Sequence, residues 1–423
     1  MRHALSRIAV FCALALSAQT SPASETLLQE GDHVAVCGDS ITERNVYSVY
    51  VEDYLLMCRP APGLRTTQFG WSGERSWDFQ RRIGNDVLPF HPTVATVLYG
   101  MNDGGYTRQE KVTIDRYHAS LTDSVGQLRD GGVRLIVLGS PTLVDPATYK
   151  KGPAPVYNET LDALAETART VATEQGIPFA DIHTPFRDVM KKAKAKWGDS
   201  YALGGPDGIH PSDAGHLVIA YALLKALGCS GEIGTISFDW DTGQAQASDG
   251  HQIVSVSDRK ISIRSSKYPF CFPTEAAGQH GVRDILEFLP FNQDLNRFTL
   301  RIAHAPDEGV KVTWGSQTKS FPKAALENGI NLAAEFPDNP FCETFRKTEL
   351  LIKEKQLIET RTIKGLLHTF LEWQALFPED SQREGESFAR LKKALLSKDD
   401  QLIQNSEKSV VPVTHLISLE INR

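Results

Sequence analysis

The chain is expected to fold as an α/β protein on a parallel sheet, and two patterns say so. Short apolar runs, VAVCG at 34–38, VATVLYG at 94–100 and VRLIVLGSP at 133–141, are each bounded by Gly or Pro, as strands buried on both faces are. Amphipathic stretches alternate with them, as helices do when they cover such a sheet.

The elements follow in order. VAVCG is the first strand, and Val46 to Met57 reads as the helix after it. The strand at 94–100 leads to a helix from Thr113 to Arg129, and the strand at 133–141 to one from Val156 to Gln175. That last helix carries Leu161, Leu164, Ala168 and Val171 at helical spacing and is closed by Gly176. Pro178 to Ile182 is a short strand, and Ser212 caps a helix that runs to about Leu227 and stops at Gly228.

After Gly231 the texture changes. TISFDWDTG, HQIVSVSDRKISIRSS and RFTLRIAHAPDEGVKVTWGSQTKSF alternate apolar and polar residues between turns, which predicts a small antiparallel β module. Helical pattern returns from Phe341 to Phe377 and from Ser381 to about Asn405, before a strand-like VVPVTHLISLEI. At 423 residues the chain exceeds a single core of about 150 residues. The divisions read from it are 30–230, a β-rich module at 231–340 and a helical region with a final strand at 341–423.

The start, MRHALSR followed by IAVFCALALSA and QTSPAS, has the basic, apolar and small-residue order of a secretory signal peptide, with cleavage after Ala23 or Ser17. Residues 1–23 are therefore expected to be removed, and the product to be periplasmic or extracellular. The apolar run is too short for the ~20 residues that span a bilayer, so stable membrane insertion is not expected. Cys37, Cys58, Cys229, Cys271 and Cys342 are scattered without CxxC spacing, which indicates no zinc site. One disulfide is compatible with export, its pairing open. With 41% apolar and 23% charged residues and a net charge of -7, the chain has a soluble composition and no basic surplus for nucleic acid. No cofactor is called for. Nothing bears on oligomeric state.

Four short words carry chemistry: GDSIT around Ser40, SGE around Gly73, GMND around Asn102 and DGIH around His210. Ser40 follows the first strand directly, at the carboxyl edge where open α/β sheets place ligands. His210 has the chemistry of a general base, and Asp207, three residues earlier, that of the acid orienting its ring. Gly73 lets a backbone N–H approach an oxyanion closely, Asn102 supplies a side-chain donor at the end of another strand, and the Ser40 N–H completes the set. Taken singly, each word is turn or cap chemistry. In this order they describe an acyl-transfer site.

These blocks resemble the SGNH/GDSL hydrolase family over about Asp32 to Gly228, roughly half the chain, with Ile41 where the family name has Leu. The resemblance implies a flavodoxin-like three-layer α/β/α domain and ester hydrolysis without metal or organic cofactor. It implies Ser40 as nucleophile, His210 and Asp207 as base and orienting acid, and Ser40, Gly73 and Asn102 as oxyanion hole. A GxSxG elbow and an HExxH motif are absent, and His91, His183 and His216 read as surface or packing residues.

Trp71 and Tyr106 flank the site words and are candidates for stacking on a sugar ring, whereas Trp77 and Tyr99 read equally well as core. Export and polar blocks point to O-acyl, above all O-acetyl, esters on carbohydrate. The alternatives are a lipase or lysophospholipase, a thioester acylhydrolase, or a non-catalytic glycan-binding protein. Trp240, Tyr268 and Trp314 are the module's candidate platforms, although such residues are more often core; a structural buttress is the other reading of the module, and residues 329–333 are a segment that could pack near the site.

Overall fold

The computed structural model describes residues 26–274 and 280–422; the expected signal peptide lies outside them. Five strands form the first sheet: β1 (His33–Gly38), β2 (Arg65–Gly70), β3 (Val94–Leu98), β4 (Leu135–Gly139) and β5 (Phe179–Ala180). All are parallel, in the order β2-β1-β3-β4-β5, which is the flavodoxin-like doubly wound order. Helices Lys111–Asp130, Ala154–Glu174, His183–Trp197 and Asp213–Ala226 belong to this α/β unit. The predicted stripe of Leu161, Leu164, Ala168 and Val171 is buried, and the Ser212 hydroxyl caps the last of these helices by accepting from the Gly215 N–H at 3.3 Å.

Register places the site. Gly38 at the end of β1 pairs with Gly70 at the end of β2 and with Leu98 at the end of β3. The three strands therefore release their chains at one level, so that Ser40, the 71–74 loop and Asn102 all leave the same edge.

β2 carries a run of buried polar residues, Thr66, Thr67 and Gln68, because a distant helix covers it. The C-terminal helix Cys342–Thr362 lies along this open edge of the sheet. Glu359 accepts the Gln68 N–H at 3.0 Å, and Lys355 Nζ donates to the Thr66 carbonyl at 2.8 Å. Side chains thus satisfy the edge that another strand would otherwise pair.

The predicted β module is present but is not simply antiparallel. One sheet has the order β13-β10-β6-β7, in which β6 (Glu232–Asp239) and β10 (Arg297–Ala303) run parallel; β7 (Ala245–Ala247) and β13 (Ile330–Asn331) flank them. The other sheet is antiparallel throughout, in the order β12-β11-β14-β9-β8. It combines β8 (His251–Ser257), β9 (Lys260–Ser265), β11 (Val310–Trp314) and β12 (Gln317–Phe321) with the final strand β14 (Val413–Ile421). Because β14 inserts between β11 and β9, the chain's last strand completes the module. Local alternation cannot reveal such a pairing.

Two of the three candidate sugar platforms are core. Trp314 is fully buried and donates its indole N–H to His415 at 3.1 Å, and Tyr268 is buried with its hydroxyl on the Val411 carbonyl. Trp240 is partly buried beneath the Arg259 guanidinium, 4.0 Å from its ring centroid. The 329–333 segment pairs with β10 and lines no part of the Ser40 cavity.

Candidate active site

Ser40 opens a short helix, Ser40–Glu43, whose N-cap Asp39 accepts the Ile41 N–H at 2.9 Å. At the first helical position the Ser40 N–H has no intrahelical partner. Its hydroxyl lies 2.8 Å from His210 Nε2, and His210 Nδ1 lies 2.6 Å from Asp207 Oδ2. The second Asp207 oxygen accepts the N–H groups of Ile209 and His210, each at 2.9 Å. Partial burial raises the Asp207 carboxyl, but these N–H donors and the His210 ring outweigh it and hold the acid down at about 2. It is therefore a carboxylate at neutral pH, bound to one ring nitrogen while the other faces the serine.

The DGIH turn depends on Gly208. Its φ is +73°, and a Cβ there would sit 2.4 Å from the Tyr149 N. Only glycine combines the left-handed conformation with that approach.

Gly73 and Asn102 line the same cavity as Ser40 and His210, a basin of about 480 Å³. Gly73 has φ +78° and open space beyond its Cα. Among the described residues, no group takes up its N–H or that of Ser40. Asn102 Nδ2 donates to the Glu74 carbonyl at 3.1 Å, and Tyr106 Oη donates to Asn102 Oδ1 at 2.8 Å. An amide nitrogen carries two hydrogens, so one remains for a ligand.

Tyr106 and Trp71, the candidate stacking residues, separate here. Tyr106 lines the Ser40 cavity with φ +60°, unusual for a side chain of this bulk. Its hydroxyl holds Asn102, and Lys151 Nζ sits 3.6 Å from its ring centroid. Trp71 lines a neighbouring cavity of about 360 Å³ that shares Ser72 and Gly73 with the first, and its ring meets His368 edge-on at 4.5 Å. Trp77 and Tyr99 are core.

Several supporting residues carry no sequence signal of their own. Arg82, almost fully buried, forks onto Glu74 at 2.6 and 2.7 Å and donates to the Phe69 carbonyl at 2.7 Å, while Tyr99 Oη donates to the same carboxylate. Such a bidentate, charge-assisted pair fixes its geometry as well as its energy. Asp103 accepts the Ser76 N–H at 2.9 Å and the Gly100 N–H at 3.0 Å, tying the Asn102 loop to the Gly73 loop. Burial pushes Asp103 up to about 6 against these donors, and burial, with Asp103 and Glu74 nearby, pushes Asp39 up to about 7.

His183 and His216 are packing residues: His183 bonds the Pro141 carbonyl at 3.0 Å and Asp162 at 2.6 Å, and His216 stacks on Tyr47. Among the described residues, no three His, Cys, Asp or Glu side chains are grouped to hold a metal ion, and no helix is long and apolar enough to cross a membrane.

A serine, an imidazole and a carboxylate in line, beside free N–H groups on a doubly wound sheet, make this a serine hydrolase. Residues 36–218 match the GDSL-like lipase/acylhydrolase family, so the chain carries a domain of that family and is a carboxylic ester hydrolase. An acetylxylan esterase of Geobacillus stearothermophilus is 27% identical over 221 residues, which are 48% of this chain and 94% of that protein. A solved structure of that acetylxylan esterase aligns at 25% identity over 47% of this chain and 95% of its own, with a TM-score of 0.40. A gut microbial diltiazem-metabolizing enzyme shares the fold across 93% of this chain and 98% of its own, with a TM-score of 0.71 at 23% identity. Its likeness thus takes in the β module and the C-terminal helices.

Proposed function

We propose that this is an exported O-acetyl esterase acting on carbohydrate, with Ser40 as the nucleophile of a covalent acyl-enzyme. The observation that carries the reading is the line from Ser40 Oγ through His210 to Asp207, at 2.8 and 2.6 Å, on the rim of an open polar cavity.

Ser40 Oγ attacks the ester carbonyl as its proton passes to His210 Nε2. The carbonyl oxygen becomes an oxyanion bound by the N–H groups of Ser40 and Gly73 and the free hydrogen of Asn102. Asp207 holds the ring and balances the imidazolium. Collapse breaks the bond to the sugar oxygen, which takes the proton from His210 and leaves as the alcohol. Water, deprotonated by His210, then attacks the acyl-serine; His210 returns that proton to Ser40 as the bond breaks, and the carboxylic acid departs and loses its own proton to solvent.

The lining favours a sugar. Among the described residues, it consists around Ser40 of Glu43, Arg44, Ser72, Asn102, Tyr106 and Lys151, with no aliphatic side chain to take a long acyl chain. Polar groups and one aromatic face suit a hydroxylated ring, and the acetylxylan esterase relative supports an acetyl donor on a glycan.

The test is a series of aryl esters from acetyl to decanoyl, followed by measurement of acetate released from acetylated polysaccharide. We expect kcat/KM to fall with chain length and acetate to appear, and expect Ser40→Ala to abolish both. A preference for decanoyl esters, or activity that survives in S40A, overturns the assignment.

A further inference from the structure

The helix Cys342–Thr362 does not end at the sheet edge. It continues through a π-helical turn, Ile363–His368, and turns of this kind often lie at functional sites. This one places two side chains against the loop that carries Gly73.

Lys364 Nζ lies 2.8 and 2.9 Å from the two Glu43 carboxylate oxygens. Glu43 closes the helical turn that Ser40 opens, and its carboxylate accepts the N–H of Ser72, the residue before Gly73. Lys364 also sits 4.7 Å from the Trp71 ring centroid, and His368 packs edge-on against the same ring at 4.5 Å. His368 is anchored in turn on the buried Asp86, with Nδ1 2.8 Å from its carboxylate. Trp71 itself donates its N–H to the Gly38 carbonyl at 2.9 Å, two residues before the serine.

The loop is fixed at its two ends within its own domain, Trp71 on the Gly38 carbonyl and Glu74 under Arg82, Tyr99 and Asn102. The Trp71 ring and the Glu43 carboxylate that holds Ser72 are braced from a helix nearly 300 residues away. Gly73 stands in a left-handed conformation with nothing packed beyond its Cα, so its N–H points only where its neighbours set it. Burial alone would raise the Glu43 carboxyl, but Lys364 and Ser72 outweigh it and hold it below its ordinary value. The carboxylate is thus charged and accepts hydrogen bonds from both partners, one on each side of the junction.

We propose that Lys364 and His368 are positioning residues for acyl transfer: acting through Glu43 and Trp71, they hold the 71–74 loop so that the Gly73 N–H meets the oxyanion. The C-terminal helical region is then part of the active site. The inference rests on the assignment of Gly73 to the oxyanion hole. A displaced donor costs rate at the transition state and leaves ground-state binding nearly alone, which separates positioning from simple packing.

The experiment uses the full chain and an aryl acetate. Lys364→Met should lower kcat on the order of 10- to 100-fold, with KM changed less than about threefold and the thermal midpoint within a few degrees of wild type. K364R should recover most of the rate. E43Q should reproduce K364M, and the double variant should be no worse than either single one, because both break the same link. If K364M fails to fold, E43Q carries the same expectation. An unchanged kcat in K364M and E43Q, or a loss that tracks the thermal midpoint and vanishes on cooling, overturns the proposal. S40A keeps the two readings apart: if it is inert while K364M is fully active, only the positioning role fails, whereas an active S40A removes the catalytic assignment beneath it.

Discussion

Tyr106 Oη donates a hydrogen bond to Asn102 Oδ1 at 2.8 Å, and this bond decides which way the Asn102 amide faces. With the oxygen occupied by a donor, the nitrogen must turn to the Glu74 carbonyl and to the cavity. On the proposed mechanism Asn102→Ala removes a transition-state donor, so kcat should fall ~100- to 1,000-fold. Tyr106→Phe leaves the amide tethered at one end only, and one neutral hydrogen bond of about 0.5 to 1.5 kcal/mol corresponds to a loss of roughly 2- to 12-fold. Steady-state kinetics on an aryl acetate would rank the two. An effect of Y106F as large as that of N102A would mean that the tyrosine itself donates to the reacting oxygen.

Asp207 is held at about 2 by donors from its own turn, so it is ionised wherever the enzyme would work. Asp207→Asn keeps the shape but presents an N–H or a neutral oxygen to His210 Nδ1, and the ring loses both its tautomer and its counter-charge. The expected loss in kcat is roughly 1,000- to 10,000-fold. The sign for stability follows from the depressed value. The carboxylate's contribution is present above its ordinary 3.8 and is lost as pH falls through about 2, so it does not change across the neutral range. A D207N enzyme with near-normal turnover would show that His210 is oriented by other contacts.

Why these residues could be read from the sequence, and others not, is a matter of range. Ser40 and Asn102 each follow a strand whose burial shows in five or six letters, and parallel register then brings both to one edge. Asp207 and His210 are three residues apart, within one turn. Lys364 and Glu43 are 321 residues apart, and nothing in either neighbourhood points to the other. RTTQFG looks polar for a strand because its partners, Lys355, Glu359 and Asp399, come from the C-terminal helices. The module's aromatic residues could be read as platform or core for a related reason. Trp314 has the composition of a sugar platform, but β14 and His415 arrive from the end of the chain and bury it.

Two site glycines should respond differently to the same substitution. At Gly73 a methyl group meets nothing, so Gly73→Ala costs only the left-handed strain of ~1 to 2 kcal/mol. The expected result is a small drop in unfolding midpoint and a larger fractional loss of turnover as the N–H is re-aimed. At Gly208 the methyl group would collide with the Tyr149 backbone at 2.4 Å, so the turn that carries Asp207 and His210 must move. Gly208→Ala should lose activity and more stability than G73A. Thermal melts alongside kcat measurements test this pair, and equal midpoints for the two variants would contradict the close approach at Tyr149.

The C-terminal helices dock on the sheet through a charge cluster that makes stability pH-dependent. Lys355 Nζ contacts Glu52 at 3.1 Å and Glu359, and Asp399 accepts a bond from Thr67 at 3.2 Å, so one buried lysine serves three buried carboxyls. Burial, with Glu359 beside it, pushes Asp399 up to about 8 against the pull of Lys355; burial and Glu359 likewise raise Glu52 to about 7. Burial and nearby cations push His33, bonded to Thr67, down to about 3, so it stays neutral. In the unfolded chain Asp399 loses its proton near 3.8. Between about 4 and 8 the folded state thus holds a proton that the unfolded state has released, and stability falls as pH rises, by up to about 1.4 kcal/mol per pH unit for each such group. Asparagine mimics the protonated acid. Asp399→Asn should therefore match wild type near pH 4 to 5, exceed it at pH 8.5 and show a flatter pH profile in urea unfolding. A variant less stable than wild type at both pH values would mean that Asp399 is ionised in the folded protein and is held there by Lys355.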